Sequence, residues 1–360
     1  MIYIVRDSVE AKMAAKYVCC LYIHFKVRNT LLRLISASTL YMFRAFSRRL
    51  NTRGLLLISD PLKPDRIAKS QADSLFPKPR FVSFDLWGTL YTPKKPIAEL
   101  YYEISKNEFG IDKSLESLKA EFPEVHKELL IDFPNYGKYS DHITNCKDWW
   151  LELIVKLYGL PHYLENEKSA KLCDRLVEYF SSLEAYILFD DVKPTLEKLR
   201  KNNVRIIASS NSDDRVFPIM KSLGIDRYFE NPFVYISYDL GTEKPERAFF
   251  RSIAGELYKI DKANEPRLSM QEFLENLWHV GDSYEKDFVG AVKAGWNGVL
   301  IDRPKTSVFF RNGPQKASVS NDCFEAQSAD SLDSDDMVMI ANNRVAVSSL
   351  TEVLRLFELE

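Results

Sequence analysis

Short apolar runs alternate along most of the chain with longer segments of helical periodicity. Bounded by turn-forming residues, these runs predict strands at 81–84, 204–209, 233–237, 277–280 and 298–301. The runs are mostly apolar throughout rather than alternating, which is typical of parallel strands covered by helices on both faces. The pattern therefore predicts an α/β fold with a doubly wound, Rossmann-like parallel sheet.

The interval between the first two predicted strands is dominated by helical periodicity, in segments 100–109, 149–158 and 170–183. Because no strand pattern interrupts it, we predict an all-helical cap domain inserted above the sheet. We assign residues 80–93 and 188–303 to the core that contains the sheet, and residues 94–187 to the cap.

The remaining C-terminal part divides in two. Residues 304–340 include a stretch rich in Ser, Asp and Asn with few large apolar residues, which predicts a partly disordered insertion. Residues 341–360 return to helical periodicity, and we predict that they add a C-terminal helix to the core at 350–359. Ser348 or Ser349 is a candidate N-cap for that helix.

The first 79 residues form a basic extension. No acidic residue lies between Glu10 and Asp60, whereas lysines and arginines recur throughout that stretch. This composition is typical of a mitochondrial presequence, and the segment that starts at Met42 resembles one by itself. We predict a mitochondrial location; the alternative is a cytoplasmic protein with a basic tail.

Composition narrows the class of protein. With 46% hydrophobic residues among 360, the chain can bury a full core, and its formal net charge of -2 does not favour nucleic-acid binding. The most apolar stretch, 17–27, is interrupted by His24 and Lys26, so no membrane span is predicted. Five cysteines without a CxxC pair indicate reduced thiols, and the oligomeric state stays open.

Polar motifs follow four of the predicted strands. In chain order they are Asp85-Leu86-Trp87-Gly88-Thr89, Ser210-Asn211-Ser212, Lys244-Pro245, and Gly281-Asp282-Ser283 with Asp287 beyond it. Each motif alone is typical of a turn or a helix start. Because the carboxyl ends of parallel strands open into one crevice, the four together predict a single site.

Together and in this order, the four motifs resemble those of the haloacid dehalogenase-like hydrolase superfamily, over roughly residues 81–303. The resemblance implies a hydrolase of phosphatase type that acts on a small phosphorylated substrate. In that interpretation Asp85 is the nucleophile and forms an aspartyl intermediate. Lys244 neutralises the transferring group, and Ser210 donates its hydroxyl to a phosphoryl oxygen.

The resemblance also implies a Mg²⁺ cofactor. Its ligands would be carboxylate oxygens of Asp85 and Asp282 and the backbone carbonyl of Trp87, and oxygen ligands suit this hard cation. Asp287 would support the metal site or pair with Lys244.

Further residues are expected to bind the substrate. Asn211 and Ser283 would add hydrogen bonds, and Gly88 would let the backbone turn sharply beside the phosphoryl group. In the cap, Tyr136 lies in a Pro/Gly turn and is expected to face the site. This turn and the Trp149-Trp150 pair that follows are similar to the cap of a eukaryotic branch of haloacid dehalogenase-like domain-containing proteins; the two tryptophans themselves are expected in the cap core.

Trp87 departs from the pattern, because phosphatases of this superfamily carry there a second Asp that protonates the leaving oxygen. Loss of a general acid costs on the order of 10²- to 10⁴-fold in rate. Three interpretations remain: a hydrolase whose leaving group needs no protonation, a dehalogenase-type hydrolase, and a non-catalytic, ligand-sensing scaffold. Dehalogenases of the superfamily need no Mg²⁺ and replace the Gly-Asp-Ser motif, so Asp282 and Asp287 favour phosphate chemistry.

Overall fold

The computed structural model describes residues 76, 79–229, 233–311, 336–341 and 343–359, all within one compact unit. The predicted presequence and the predicted disordered stretch lie outside these ranges, apart from a few residues at their ends. Within the described ranges, no helix is both long enough and apolar enough to cross a membrane.

Seven strands form the central sheet, in the order β5-β4-β1-β6-β7-β9-β8. Neighbouring strands are parallel except β8, which pairs antiparallel with β9 at the edge. Their bounds are Phe81–Phe84 (β1), Arg205–Ser210 (β4), Val234–Ile236 (β5), Leu277–Gly281 (β6), Asn297–Ile301 (β7), Met337–Ala341 (β8) and Arg344–Val347 (β9). The predicted α/β sheet is confirmed.

Helices connect these strands and pack on both faces of the sheet. They are Val192–Lys201, Val216–Leu223, Ser237–Leu240, Arg247–Asn264, Met270–Glu275, Gly290–Ala294, Val308–Arg311 and Leu350–Leu356. Because side chains alternate along a strand, Val82 and Phe84 of β1 join the larger apolar core, and Phe81 joins the opposite core with Phe249 and Phe250. β1 is thus buried on both sides.

Four α-helices lie between β2 (Tyr91–Pro93) and β3 (Tyr186–Leu188), and we call this segment the insert. They are Ile97–Asn107, Leu115–Asp132, Cys146–Tyr158 and Glu167–Tyr179. Side chains of Ser114, Asn145 and Asn166 cap three of them by accepting hydrogen bonds from backbone N–H groups of the first turn. The insert leaves and re-enters the core through an antiparallel ribbon of β2 (Tyr91–Pro93) and β3 (Tyr186–Leu188).

The structure differs from the sequence prediction in several elements. The β2–β3 ribbon was not predicted, because each strand has only three residues. The helix Leu115–Asp132 was missed because only Leu118 and Leu129 are buried, which leaves a weak apolar stripe.

The C-terminal part also holds more structure than predicted. β8 begins inside the predicted disordered insertion, and β9 precedes the predicted helix. That helix is confirmed as Leu350–Leu356; Ser349 occupies its N-cap position without a side-chain hydrogen bond. The predicted domain boundaries themselves stay predictions.

Candidate active site

Three adjacent central strands bring the predicted motifs together. Asp85 directly follows β1, Ser210 ends β4, and Asp282 directly follows β6. Because β1 lies between β4 and β6, these three side chains emerge at the same edge of the sheet. Lys244 reaches the same place from the loop after β5.

Asp85, Lys244, Asp282 and Asp287 form what we call the charged cluster. Lys244 Nζ lies 2.7 Å from Asp85 Oδ1 and 2.5 Å from Asp287 Oδ1, and it donates to the backbone carbonyl of Ser209 at 3.0 Å. Only 2% of the Lys244 side chain is exposed. A buried ammonium is tolerated when it is paired and hydrogen-bonded, as here.

The electrostatics of the cluster follow from this pairing. Burial raises the pKa of Asp85 and Lys244 opposes it, so the lysine favours the ionised carboxylate that a nucleophile needs. Burial alone would raise the pKa of Asp287, but Lys244 and His279 hold it below its ordinary value. The two carboxylates in turn raise the pKa of Lys244 against the effect of burial.

The donor set fits a divalent cation. Asp85, Asp282 and Asp287 each offer a carboxylate oxygen, and these oxygens all lie within 4.8 Å of one another. Partial burial of its carboxyl and the negative charges of Asp85 and Asp287 raise the pKa of Asp282 to about 7. The residue as a whole is nevertheless exposed to solvent. The one ammonium of Lys244 thus lies among three carboxylates. This surplus of negative oxygen favours a hard metal ion.

Asp287 is already engaged by protein groups. Its Oδ1 contacts Lys244 and His279, and its Oδ2 accepts a hydrogen bond from the backbone N–H of Ser283 at 2.9 Å. Of the two roles predicted for Asp287, the structure therefore shows the pairing with Lys244. Ligation of a metal ion by the Asp287 carboxylate and by the Trp87 backbone carbonyl stays a prediction.

The predicted phosphate-binding residues lie around the cluster with distinct partners. Asn211 joins two loops: its Nδ2 donates to the Lys244 carbonyl and its Oδ1 accepts from the Lys244 N–H, both at 2.8 Å. Ser210 is buried and its Oγ accepts from Ser212 at 3.3 Å. Ser283 Oγ caps the helical turn after β6 by accepting from the Lys286 N–H. Their contacts with substrate stay predictions.

The turn after Asp85 requires glycine for two reasons. Gly88 has φ +79°, in the left-handed region, and a Cβ there would collide with the Asp282 carboxylate. Thr89 Oγ1 lies 3.5 Å from Asp282 Oδ1, and the Thr89 carbonyl accepts from Arg303 at 2.9 Å. The turn is therefore held both by the Asp282 carboxylate and by Arg303 in the segment after β7.

Trp87, Tyr91 and Tyr186 form what we call the aromatic cluster, which begins two residues after Asp85. The Trp87 and Tyr91 rings both meet Tyr186 edge to face, with centroids 5.5 and 5.3 Å apart. Trp87 is 43% exposed, so its ring stands at the rim of the site. The indole N–H is far too weak an acid to protonate a leaving oxygen. Position 87, where an acid was expected, therefore supplies no general acid.

The insert contacts the loops that carry the motifs. Tyr136, predicted to face the site, donates through its hydroxyl to the Asn211 carbonyl at 3.1 Å. Asn135 Nδ2 donates to the Ser237 carbonyl at 2.8 Å, just before the Lys244 loop. Trp149 is fully buried as expected, whereas Trp150 Nε1 donates to Asp213 at 2.7 Å.

Sequence reasoning missed two groups beside the site. Asp213 and Arg215 form a buried ion pair in which Nε lies 2.8 Å from Oδ1, and the Arg215 guanidinium packs over the Trp150 ring. His279 lies under the charged cluster and contacts Asp287. Its signal was present, since His279 is the lone ionisable residue within the apolar run of β6.

Comparisons with known proteins show which family the chain resembles. A family model of haloacid dehalogenase-like hydrolases matches residues 79–295. An uncharacterized protein of Saccharomyces cerevisiae is 29% identical over 66% of this chain and 77% of its own length. Haloacid dehalogenase-like hydrolase domain-containing protein 3 of Bos taurus is 26% identical over 63% of this chain and 83% of its own length. A glyceraldehyde 3-phosphate phosphatase of Methanopyrus kandleri is 28% identical over 62% of this chain and 84% of its own length.

The match spans the strand that ends at Asp85, the insert, and the loops that carry Ser210, Lys244 and Asp282. It therefore includes every member of the charged cluster, and it covers more than half of the chain. The chain belongs to the haloacid dehalogenase-like hydrolase family.

Proposed function

We propose that this protein is a Mg²⁺-dependent phosphohydrolase of small phosphorylated metabolites, with Asp85 as the nucleophile. The observation that carries the proposal is the position of Lys244, which lies between Asp85 and Asp287 with Asp282 alongside. Phosphoryl transfer needs a carboxylate nucleophile and neutralisation of the transferring group, and this arrangement supplies both.

In the first step an Asp85 carboxylate oxygen attacks phosphorus. The phosphorus–oxygen bond to the leaving group breaks, and the leaving oxygen keeps the electron pair. Lys244 offsets the negative charge that spreads over the phosphoryl oxygens, and the hydroxyl of the buried Ser210 donates to one of them. In the second step water attacks the aspartyl phosphate, which releases inorganic phosphate and restores the Asp85 carboxylate.

Asp85 and Asp282 are the residues that would hold Mg²⁺, together with the Trp87 carbonyl. When bound, the cation supplies positive charge that neutralises phosphoryl oxygens. The chain itself supplies the scaffold for the carboxylates: the Gly88 turn keeps the Asp282 carboxylate close to the loop that bears Asp85.

Trp87 narrows the substrate class. Because no side chain at this position can protonate the leaving oxygen, the site favours substrates whose leaving group is stable as an anion, such as acyl phosphates. The Methanopyrus kandleri relative is described by name as a glyceraldehyde 3-phosphate phosphatase, which supports phosphate chemistry for this chain without identifying its substrate.

The test is turnover by the purified full chain with Mg²⁺ on panels of acyl phosphates, phosphate monoesters and phosphonates. We expect release of inorganic phosphate, highest for acyl phosphates, and abolished by chelation of the metal. Quenched reactions should show a phosphoryl group on the peptide that contains Asp85. No turnover on any panel, together with no beryllium fluoride adduct on Asp85, would contradict the proposal.

A non-catalytic, ligand-sensing scaffold is the second candidate, and Trp87 in place of the acid favours it. Such a scaffold would bind phosphorylated ligands with Mg²⁺ and release no phosphate from them. Binding measured by calorimetry without turnover would identify this outcome. Release of halide from 2-haloacids without Mg²⁺ would instead identify a dehalogenase.

We also propose a mitochondrial location, supported by the basic, acid-free stretch between Glu10 and Asp60. The structure does not describe these residues. The prediction is that the cellular protein begins well after Met42, as read by N-terminal sequencing of the mature chain; an intact segment before Met42 would contradict it.

A further inference from the structure

A chain of hydrogen-bonded side chains crosses the centre of the sheet under the charged cluster. Ser83 of β1, Ser209 of β4 and His279 of β6 lie on three adjacent strands. Ser83 Oγ is 2.6 Å from Ser209 Oγ and 3.1 Å from His279 Nδ1. The Ser83 and Ser209 residues and the His279 side chain are fully buried, so these groups depend on one another for partners.

The other ring nitrogen of His279 points into the active site. His279 Nε2 lies 3.0 Å from Asp287 Oδ1, the oxygen that also contacts Lys244 Nζ. The ionised carboxylate can only accept, so Nε2 carries the hydrogen whether the ring is charged or neutral. The serine hydroxyls at Nδ1 can serve either state, because a hydroxyl both donates and accepts.

We propose that His279 is a positioning residue for the reaction: it fixes the Asp287 carboxylate, which in turn holds Lys244 against Asp85. This inference rests on the proposed function, because it concerns the same nucleophile. His279 touches neither substrate nor Asp85 directly in this arrangement. Its effect passes through Asp287 and Lys244.

The bonding of Asp287 explains why a donor is needed at this position. The backbone N–H of Ser283 binds Oδ2, and His279 and Lys244 share Oδ1. Without the His279 donor, one face of Oδ1 is buried without a partner, and the carboxylate can rotate about its side-chain bond to recover one. Lys244 Nζ would follow that oxygen and leave its position 2.7 Å from Asp85.

Packing alone does not require a histidine there. The ring of His279 lies against the apolar rings of Phe250 and Trp296, with centroids 5.3 and 6.4 Å apart. A buried polar side chain is destabilising unless its hydrogen bonds are met. The three groups that the His279 ring reaches, the hydroxyls of Ser83 and Ser209 at Nδ1 and the Asp287 carboxylate at Nε2, are the partners that meet them.

The experiment compares three variants of the full chain: His279→Leu, His279→Gln and Trp296→Leu. Leucine removes the donor, whereas the glutamine amide can donate to Asp287 again. Trp296→Leu is the matched control, because it removes a neighbouring buried ring whose N–H has no partner among the described residues. Thermal midpoints are measured for all three, so that losses of activity are compared at similar losses of stability.

We expect His279→Leu to lower kcat about 10- to 100-fold with little change in KM, as for other supporting groups around catalytic sites. His279→Gln should recover most of kcat, and Trp296→Leu should keep kcat within about threefold despite a lower midpoint. Equal losses of kcat in His279→Leu and Trp296→Leu, or no recovery with glutamine, would overturn the inference.

A second readout does not depend on turnover. Acetylation of lysines by acetic anhydride, followed by peptide mass spectrometry, reports how well Lys244 is held. We expect faster labelling of Lys244 in His279→Leu than in Trp296→Leu, and no such difference for exposed Lys259. If the wild-type chain turns over no substrate, the proposed function fails while this readout still decides the role of His279: equal labelling in the two variants overturns it.

Discussion

The charged cluster and the aromatic cluster both take residues from the segment between Asp85 and Tyr91, but one is built of ion pairs and the other of ring contacts. In the charged cluster Asp85, Lys244 and Asp287 are buried and paired, and their pKa values are shifted by one another. In the aromatic cluster Trp87 is 43% exposed and offers only ring contacts. For the proposed reaction, the groups that would attack phosphorus are paired and in place, whereas Trp87 stands where an acid would protonate the leaving group.

The two clusters should also differ in their response to mutation. Charges buried together are interdependent, so removal of one leaves its partners unpaired. Exposed ring contacts contribute little to stability, so substitutions there act mainly on chemistry.

Removal of the nucleophile tests the charged cluster most directly. Asp85→Asn should lower kcat by about 10⁴-fold or more, because no other carboxylate can replace the bond to phosphorus. Lys244 keeps its contact with Asp287, so the fold should survive. Phosphate release is measured at saturating substrate; Asp112→Asn, a change at an exposed residue, is the charge-matched control and should be fully active. Full activity in Asp85→Asn would refute the assignment.

Removal of the cation tests the interdependence within the charged cluster. Lys244→Met should lower kcat about 10²- to 10³-fold. It should also lower the free energy of unfolding by about 3 to 5 kcal/mol, because Asp85 and Asp287 are left buried without their cation. Urea unfolding measures the second effect. The same change at exposed Lys259 should shift stability by less than about 0.5 kcal/mol; equal shifts at both positions would show that the cluster is not interdependent.

An acid placed in the aromatic cluster tests its missing function. Trp87→Asp should raise kcat on phosphate monoesters with poor leaving groups by about 10²-fold, because the new carboxyl can protonate the leaving oxygen. Acyl phosphates, which need no protonation, should gain little. Trp87→Asn removes the same ring without adding an acid. If the asparagine variant gained as much, the limit would be steric access past the indole rather than proton transfer.

The Gly88 turn, which joins the two clusters, should give the smallest effect. Gly88→Ala and Gly110→Ala both place a Cβ at positive φ and should each cost about 1 to 2 kcal/mol in the free energy of unfolding. Only the Cβ at Gly88 collides with Asp282; nothing lies within 4 Å of the one at Gly110. Gly88→Ala alone should therefore weaken Mg²⁺ activation, by about 10-fold. Identical Mg²⁺ titrations for the two variants would exclude a role of the turn in the metal site.

Local pattern was enough to predict the core of the fold and its motifs. β1 spans the predicted 81–84, and the helical character of the insert was read from periodicity. Asp85, Ser210 and Asp282 were predicted to lie together because each follows a predicted parallel strand, and parallel strands bring their carboxyl ends to one edge. Lys244 was assigned by resemblance, and the structure brings its ammonium to Asp85.

The partners of the side chains around the site depend on tertiary packing and could not be predicted from the sequence. Three hydrogen bonds depend on how strands and helices pack against one another. They join Asn211 to the Lys244 backbone, Trp150 to Asp213, and His279 to Asp287. The β2–β3 ribbon and the β8–β9 pair likewise exist through pairing rather than local pattern, because such short strands have little structure until a partner satisfies their backbone groups. The sequence shows Trp87 two residues after Asp85, where phosphatases of the superfamily carry an acid; tertiary packing then put that indole beside Tyr186, with 43% of the residue exposed.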